Sequence, residues 1–150
     1  MNKTQLENQA KGLRPALHMQ APDTETLQGL VERAADSLKD AKNNTNSVAT
    51  RFNAAYSSAF CLARVALEAC GYRLAGAEGH RVTVFQNLAN TLDWKPEQWR
   101  PLEDTHRLRN RFDYGDVVGV SEAQLEAAIR GAQALLEDVQ REFPQVKLKS

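Results

Sequence analysis

Apolar residues recur at intervals of three and four along most of the chain, which is the spacing of one face of an α-helix. No segment alternates apolar and polar residues convincingly over the length of a strand. The pattern therefore predicts an all-α chain of about five helices. The connections between them are short, and the sequence shows no internal repeat and no second domain. These features favour an antiparallel helical bundle.

Capping residues delimit the first two long helices. Asp23 can cap a helix whose apolar stripe runs from Leu27 to Ala41, before the polar run KNNTNS. A second helix is predicted from about Ser47 until Gly71 ends it. It is rich in alanine and is expected to be the central helix. Its predicted inward face contains Val48, Phe52, Ala55, Tyr56, Ala59, Phe60, Ala63, Leu67 and Cys70.

Three further helices complete the predicted bundle. One covers about 82–92, after the glycine-rich turn LAGAEGHR. Pro101 suits the first position of the next helix. Ser121 and Gln124 can form a capping box for the last helix, which Pro144 ends. The expected division of the chain is an N-terminal arm (1–22), a helical bundle (23–143) and a C-terminal tail (144–150).

Composition narrows the classes of partner and compartment. The 19 basic residues offset the 19 acidic ones, so bulk charge does not draw the chain to nucleic acid or membranes. Cys61 and Cys70 are too far apart on one helix for a disulfide, which favours free thiols in a reducing compartment. No run approaches the ~20 apolar residues of a membrane span, and the N-terminus lacks a signal-peptide core. We therefore expect a cytoplasmic protein that does not bind membranes.

The common cofactor and metal motifs are missing from the sequence. The spacing of His18, His80 and His106 matches no zinc pattern, and the two cysteines form no Cys-x-x-Cys. No dinucleotide-binding, phosphate-loop or serine-hydrolase motif occurs. We therefore expect neither a metal nor a cofactor.

The segment RLRNRFDYGD, residues 107–116, contains the densest group of chemically versatile side chains. With about 100° of rotation per residue, Leu108 and Phe112 face the core, whereas Arg107 and Arg111 face solvent. A polar strip is predicted at the edge of the apolar face. It comprises His106, Arg109, Asn110, Asp113 and Tyr114.

Two interpretations of this strip are open. In the first, Arg109 and Asp113 form a helix-surface ion pair contributing a few tenths of a kcal/mol, and Tyr114 packs over the helix end. In the second, Arg109 binds a phosphate through two parallel hydrogen bonds. Asn110 then orients neighbouring groups, and Tyr114 donates a proton or stacks on a base. One helix cannot surround a substrate alone, so the second interpretation predicts a homodimer with two strips facing one cleft.

Several segments carry a resemblance to a known family. RNRFDYGD, the following SEAQLEAAIRGAQALLEDV, and the upstream RFNAAYSSAFCLARVALEACGYR and GHRVTVFQNL resemble the HEPN superfamily (higher eukaryotes and prokaryotes nucleotide-binding domain). The similarity covers roughly 23–143 and is to the branch with arginine, a short gap and Asp-Tyr. It implies a HEPN-like bundle that binds RNA or nucleotides in a prokaryotic toxin–antitoxin or defence system. A metal-independent ribonuclease is one form of that function.

The resemblance also implies roles for individual residues. In family members that are ribonucleases, the arginine holds the scissile phosphate and a histidine takes part in proton transfer. Arg109 and Asn110 match the start of that motif, and Tyr114 stands at the histidine position. At pH 7 a phenol with a pKa near 10 is about one part in a thousand ionised, so general-base catalysis by Tyr114 is expected to be about three decades weaker. His106 is an alternative source of the imidazole that the motif lacks at position 114. The expected catalytic residues are Arg109, Asn110 and Tyr114, and the expected RNA-binding residues are Arg109, Asp113 and His106.

Two other functional classes stay open. The chain can be a non-catalytic partner subunit, for example of a minimal nucleotidyltransferase, or can itself pair with an antitoxin. Trp94 and Trp99, which flank Pro96, then form a contact surface, whereas their simpler role is to cover the end of the bundle. The third possibility is a structural helical adaptor in which Arg109 and Asp113 only stabilise the helix end.

Overall fold

The computed structural model describes residues 1–76, 81–113, 119–146 and 148, with 81–83 and 112–113 described by their backbone alone. These residues form a helical bundle that carries one small two-stranded sheet, which confirms the all-α prediction. The elements in chain order are α1 (Lys3–Gln9), β1 (Leu17–Met19), α2 (Thr24–Lys42), α3 (Val48–Ala69), β2 (Tyr72–Leu74), α4 (Arg81–Gln86), α5 (Leu88–Thr91), α6 (Pro96–Asp113) and α7 (Glu122–Glu142). A short 3-10 helix follows at Pro144–Val146.

The bundle is built around α3, as its alanine-rich sequence predicts. Two hydrogen bonds set the antiparallel register of α2 and α3. Ser58 Oγ donates to the carbonyl of Ala34, and Arg51 Nε donates to the carbonyl of Ala41, both at 2.8 Å. Helix α7 packs against both helices. Six of the predicted inward residues of α3 are buried: Phe52, Ala55, Tyr56, Ala59, Ala63 and Leu67. Three are half-buried: Val48, Phe60 and Cys70.

The predicted caps of the long helices are confirmed. Asp23 accepts a hydrogen bond from the backbone N–H of Thr26 at the start of α2. Ser121 and Gln124 form the reciprocal capping box of α7. Helix α3 ends just before Gly71, whose φ of +95° lies in the left-handed region that glycine adopts without strain.

The N-terminal residues contribute to the core, although the sequence predicted a polar arm. Leu6 of α1 and Leu17 of β1 are both fully buried. Strand β1 pairs antiparallel with β2, so Leu17 lies opposite Leu74. A strand of three residues is too short for alternation to be recognised in the sequence. Val146, in the predicted tail, is also fully buried.

Two helix boundaries differ from the prediction. The helix predicted near 82–92 is divided into α4 and α5. Helix α6 begins at Pro96, so Pro101 lies inside it rather than at its first position. Both prolines suit a first helical position, and the local hydrogen bonds select Pro96, because the backbone N–H of Lys95 donates to Gln98 Oε1 at 2.8 Å.

Neither cysteine forms a disulfide, as predicted. Within the part of the chain that the structure describes, no helix combines the length and apolarity needed to cross a membrane.

Candidate functional site

Helix α6 presents its side chains much as the sequence predicts. Arg107 and Arg111 are exposed on one side, and Leu108 is buried on the other. Arg109 and Asn110 are half-buried at the boundary between them. The guanidinium and the amide are therefore held against the bundle while still reachable from solvent.

His106 lies deeper than the predicted polar strip. Its side chain packs between α6 and α3, and the residue is only 4% exposed. Its Nδ1 is 2.9 Å from the hydroxyl of Tyr56, and its Nε2 is 3.1 Å from Nδ2 of Asn110. The imidazole thus connects a buried phenol of α3 with a half-buried amide of α6.

These contacts define the tautomer of the neutral ring. An amide nitrogen only donates, so Nδ2 of Asn110 donates to Nε2 of His106. In the neutral ring the proton then resides on Nδ1, which donates to the oxygen of Tyr56. Both ring nitrogens are engaged within the protein, so His106 is arranged to orient Tyr56 and Asn110 rather than to accept a proton from a substrate.

Arg109 lies over the ring of Tyr56, with its guanidinium carbon 5.0 Å from the ring centroid. The π-face of the Tyr56 ring attracts the cation. The N–H donors of Arg109 lie in the plane of the guanidinium group. Tyr56 in turn stacks on His106, with centroids 5.8 Å apart, and Phe85 of α4 contacts both rings. The floor beneath Arg109 is therefore a packed aromatic cluster from three helices.

Sequence reasoning did not identify Tyr56 as part of the site. It placed this residue only on the inward face of α3. A usable signal was available, because the hydroxyl of a buried tyrosine generally requires a hydrogen-bonding partner. The partner, His106, is fifty positions away in the sequence, so only the packing of α3 against α6 identifies it.

Three of the predicted or considered residues lie outside the described part of the site. The side chain of Asp113 is not described, and Tyr114 and His80 fall in undescribed segments. The predicted ion pair between Arg109 and Asp113 and the predicted role of Tyr114 therefore stay predictions.

The two tryptophans differ in their surroundings. Trp94 is 5% exposed, and its Nε1 donates to Asp138 Oδ2 at 2.7 Å, so it covers the bundle between α5 and α7. Trp99 is half-buried, and the guanidinium carbon of Arg100 lies 5.5 Å from its ring centroid. Of the two, only Trp99 presents substantial surface to a partner.

A cavity of about 340 Å³ lies elsewhere on α6, between this helix and α7. Its lining includes Phe52, Leu108 and Ala127. Neither Arg109 nor His106 borders it. The cavity is therefore separate from Arg109 and the aromatic cluster beneath it.

No protein-family model matches the chain, and a search of curated proteins finds no significant match. Among the described residues, no group of three or more histidine, cysteine, aspartate or glutamate side chains is arranged to hold a metal ion.

Proposed function

We propose that the protein binds RNA or a nucleotide through Arg109 and Asn110, with Tyr56 and His106 as positioning residues beneath them. The observation that carries this proposal is the placement of the Arg109 guanidinium on the Tyr56 ring. A guanidinium held on an aromatic floor at the protein surface loses little additional freedom when it binds a phosphate. The HEPN resemblance of the sequence supports the same class of ligand.

The geometry favours binding over cleavage. His106 has both ring nitrogens engaged in hydrogen bonds within the protein. A ribonuclease would then take its proton acceptor from Tyr114, whose phenol is poorly suited to that task at neutral pH. The protein accordingly acts by recognising RNA or a nucleotide, in a toxin–antitoxin or defence system. It does so as a homodimer in which two Arg109 sites face one ligand.

A non-catalytic partner subunit is the second candidate. The half-buried Trp99, stacked with Arg100, supports it because tryptophan and arginine are enriched in interface hot spots. In that case Trp99→Ala would abolish capture of the partner, whereas Arg109→Ala would leave it unchanged.

One experiment separates binding from cleavage. Purified wild type and Arg109→Ala are incubated with total cellular RNA in EDTA, and one half of each sample is assayed for retained RNA on a filter. The other half is run on a denaturing gel. We expect retention of intact RNA by wild type and loss of retention by Arg109→Ala. Discrete fragments with wild type alone would instead establish a metal-independent ribonuclease, and equal retention by both proteins would contradict the proposed site.

A further inference from the structure

One side of α3 is open to solvent from Asn53 to Arg64. Between these positions most other residues of the helix are buried against its neighbours, whereas this side carries residues that are exposed or half-buried. The α3 face, as we name it, comprises Asn53, Ser57, Phe60, Cys61 and Arg64. Helix α2 contacts α3 beside Ser58, and α6 contacts it beside Tyr56. The α3 face therefore lies between α2 on one side and α6 with α4 on the other, where Phe85 of α4 also contacts the ring of Phe60.

Arginines occur on both sides of the α3 face and on the face itself. Arg109 stands on the α6 side, over Tyr56. On the α2 side, the register fixed by Ser58 and Ala34 places Arg33 level with Ala59, and Arg33 is exposed. Among the described residues it has no ion-pair partner.

Arg64 is held in place on the α3 face itself. Its Nε donates to Oε2 of Glu68, a carboxylate that is almost entirely buried, while 43% of the Arg64 side chain is exposed. Burial raises the pKa of the neighbouring Cys61 thiol, and the charges of Arg33 and Arg64 both oppose that rise. The two guanidinium groups thus act on the same part of the α3 face.

The positions of Arg109 and Arg64 are separated along α3 by more than the size of one phosphate group. Tyr56, beneath Arg109, and Arg64 are eight residues apart, which is about 12 Å along a helix. Phe60 lies between them, half-buried, with its ring 6.3 Å from that of Tyr56. Proteins that bind single-stranded nucleic acid combine aromatic rings, on which bases stack, with cationic groups that contact the backbone. A partly exposed aromatic ring between two cationic sites matches this arrangement.

We propose that the α3 face holds a second phosphate of the ligand, between Arg33 and Arg64, so that the protein binds an oligonucleotide across α3 rather than a mononucleotide. This inference rests on the proposed function, because Arg109 supplies the first phosphate site. Phe60 contributes the edge of an aromatic surface for a base between the two phosphates.

The test compares two ligands and two charge-removing variants. Binding of a labelled single-stranded oligoadenylate and of labelled adenosine monophosphate is measured by fluorescence anisotropy for wild type, Arg33→Ala and Lys39→Ala. Lys39 is an exposed cation of the same helix, six positions from Arg33 and therefore on a different face. We expect Arg33→Ala to weaken oligoadenylate binding roughly three- to tenfold, as for one charge-assisted contact, and to leave monophosphate binding unchanged. Lys39→Ala should change neither.

A second readout uses the two thiols of the wild-type protein. Alkylation of Cys61 by iodoacetamide should be slowed by bound oligoadenylate, whereas alkylation of Cys70, at the end of α3, should not. Equal oligoadenylate affinity in the Arg33→Ala and Lys39→Ala variants, or an unprotected Cys61, would overturn the inference alone. Failure of wild type to bind either ligand would overturn the proposed function together with it.

Discussion

The hydroxyl of Tyr56 lies 2.9 Å from Nδ1 of His106, and this contact joins the central helix α3 to α6 inside the bundle. Both residues are almost fully buried. Their hydrogen bond aligns the ring on which Arg109 rests and, through Nε2, the amide of Asn110. Arg109 and Asn110, the half-buried polar residues that the structure describes at this site, are therefore positioned by a buried pair.

Removing the phenol oxygen should destabilise the fold. In Tyr56→Phe, the buried Nδ1 of His106 loses its acceptor, so we expect a loss of roughly 1–3 kcal/mol in the free energy of unfolding. Asn110→Ala should cost less, because this residue is half-buried and water can replace its amide. Urea unfolding of both variants measures the difference. Equal losses would show that the hydrogen bond between Tyr56 and His106 contributes no more to the free energy of unfolding than the amide of Asn110 does.

Two glycines that the structure describes within helices provide a matched pair for testing the packing. A Cβ at Gly131 of α7 would lie 2.7 Å from Cδ2 of Leu102, whereas a Cβ at Gly29 of α2 meets nothing within 4 Å. Leu102 is almost completely buried and has little room to move. We expect Gly29→Ala to stabilise the protein by about 0.5–1 kcal/mol. Gly131→Ala should instead lose about 1 kcal/mol or more through overpacking.

Thermal or urea unfolding of both glycine variants against wild type checks this expectation. A similar gain from both substitutions would contradict the close approach of α6 to α7 at Leu102.

The two thiols predict a loss of stability at alkaline pH. Burial raises the pKa of both Cys61 and Cys70 in the folded state. Unfolded thiols ionise at about pH 8.5, so the unfolded chain releases these protons first as the pH rises. The stability that the protonated thiols contribute is therefore fully present below about pH 8.5 and is lost as the pH increases through the folded-state pKa values.

Urea unfolding at neutral and alkaline pH measures this effect. We expect a Cys61→Ala/Cys70→Ala variant to lose less stability than wild type over the same pH interval. Burial also raises the pKa of Tyr72, so the comparison should stop short of about pH 10, where tyrosine begins to contribute. A parallel decline of the two proteins would contradict the assignment to the thiols.

Local sequence signals predicted the long helices well. The caps at Asp23 and Ser121, the end of α3 before Gly71 and the apolar stripes of α2, α3 and α7 all follow from residues within one or two turns of each other. Strand β1 was missed because its three residues pair with a distant segment, which no local pattern reveals. The start of α6 was misplaced because Pro96 and Pro101 give the same local signal.

The candidate site was predictable only in part, for a related reason. The rotation of α6 places Arg109 and Asn110 at the core boundary, and a single helix is enough to predict that. The burial of His106 and its contact with Tyr56 depend on how α6 docks against α3 and α4. Those contacts are set by tertiary packing, which helical periodicity does not encode.

The most direct test of the proposed function is the affinity of two arginine variants for RNA. A labelled single-stranded RNA is titrated by fluorescence anisotropy with wild type, Arg109→Ala and Arg111→Ala, at several salt concentrations. Arg111 is the matched control, because it is an exposed arginine of the same helix and its removal changes the net charge equally. We expect Arg109→Ala to weaken binding at least tenfold, as for a charge-assisted phosphate contact, and Arg111→Ala to have little effect. Equal affinities of the two variants would show that Arg109 is an ordinary surface arginine and that the aromatic cluster beneath it serves only the fold.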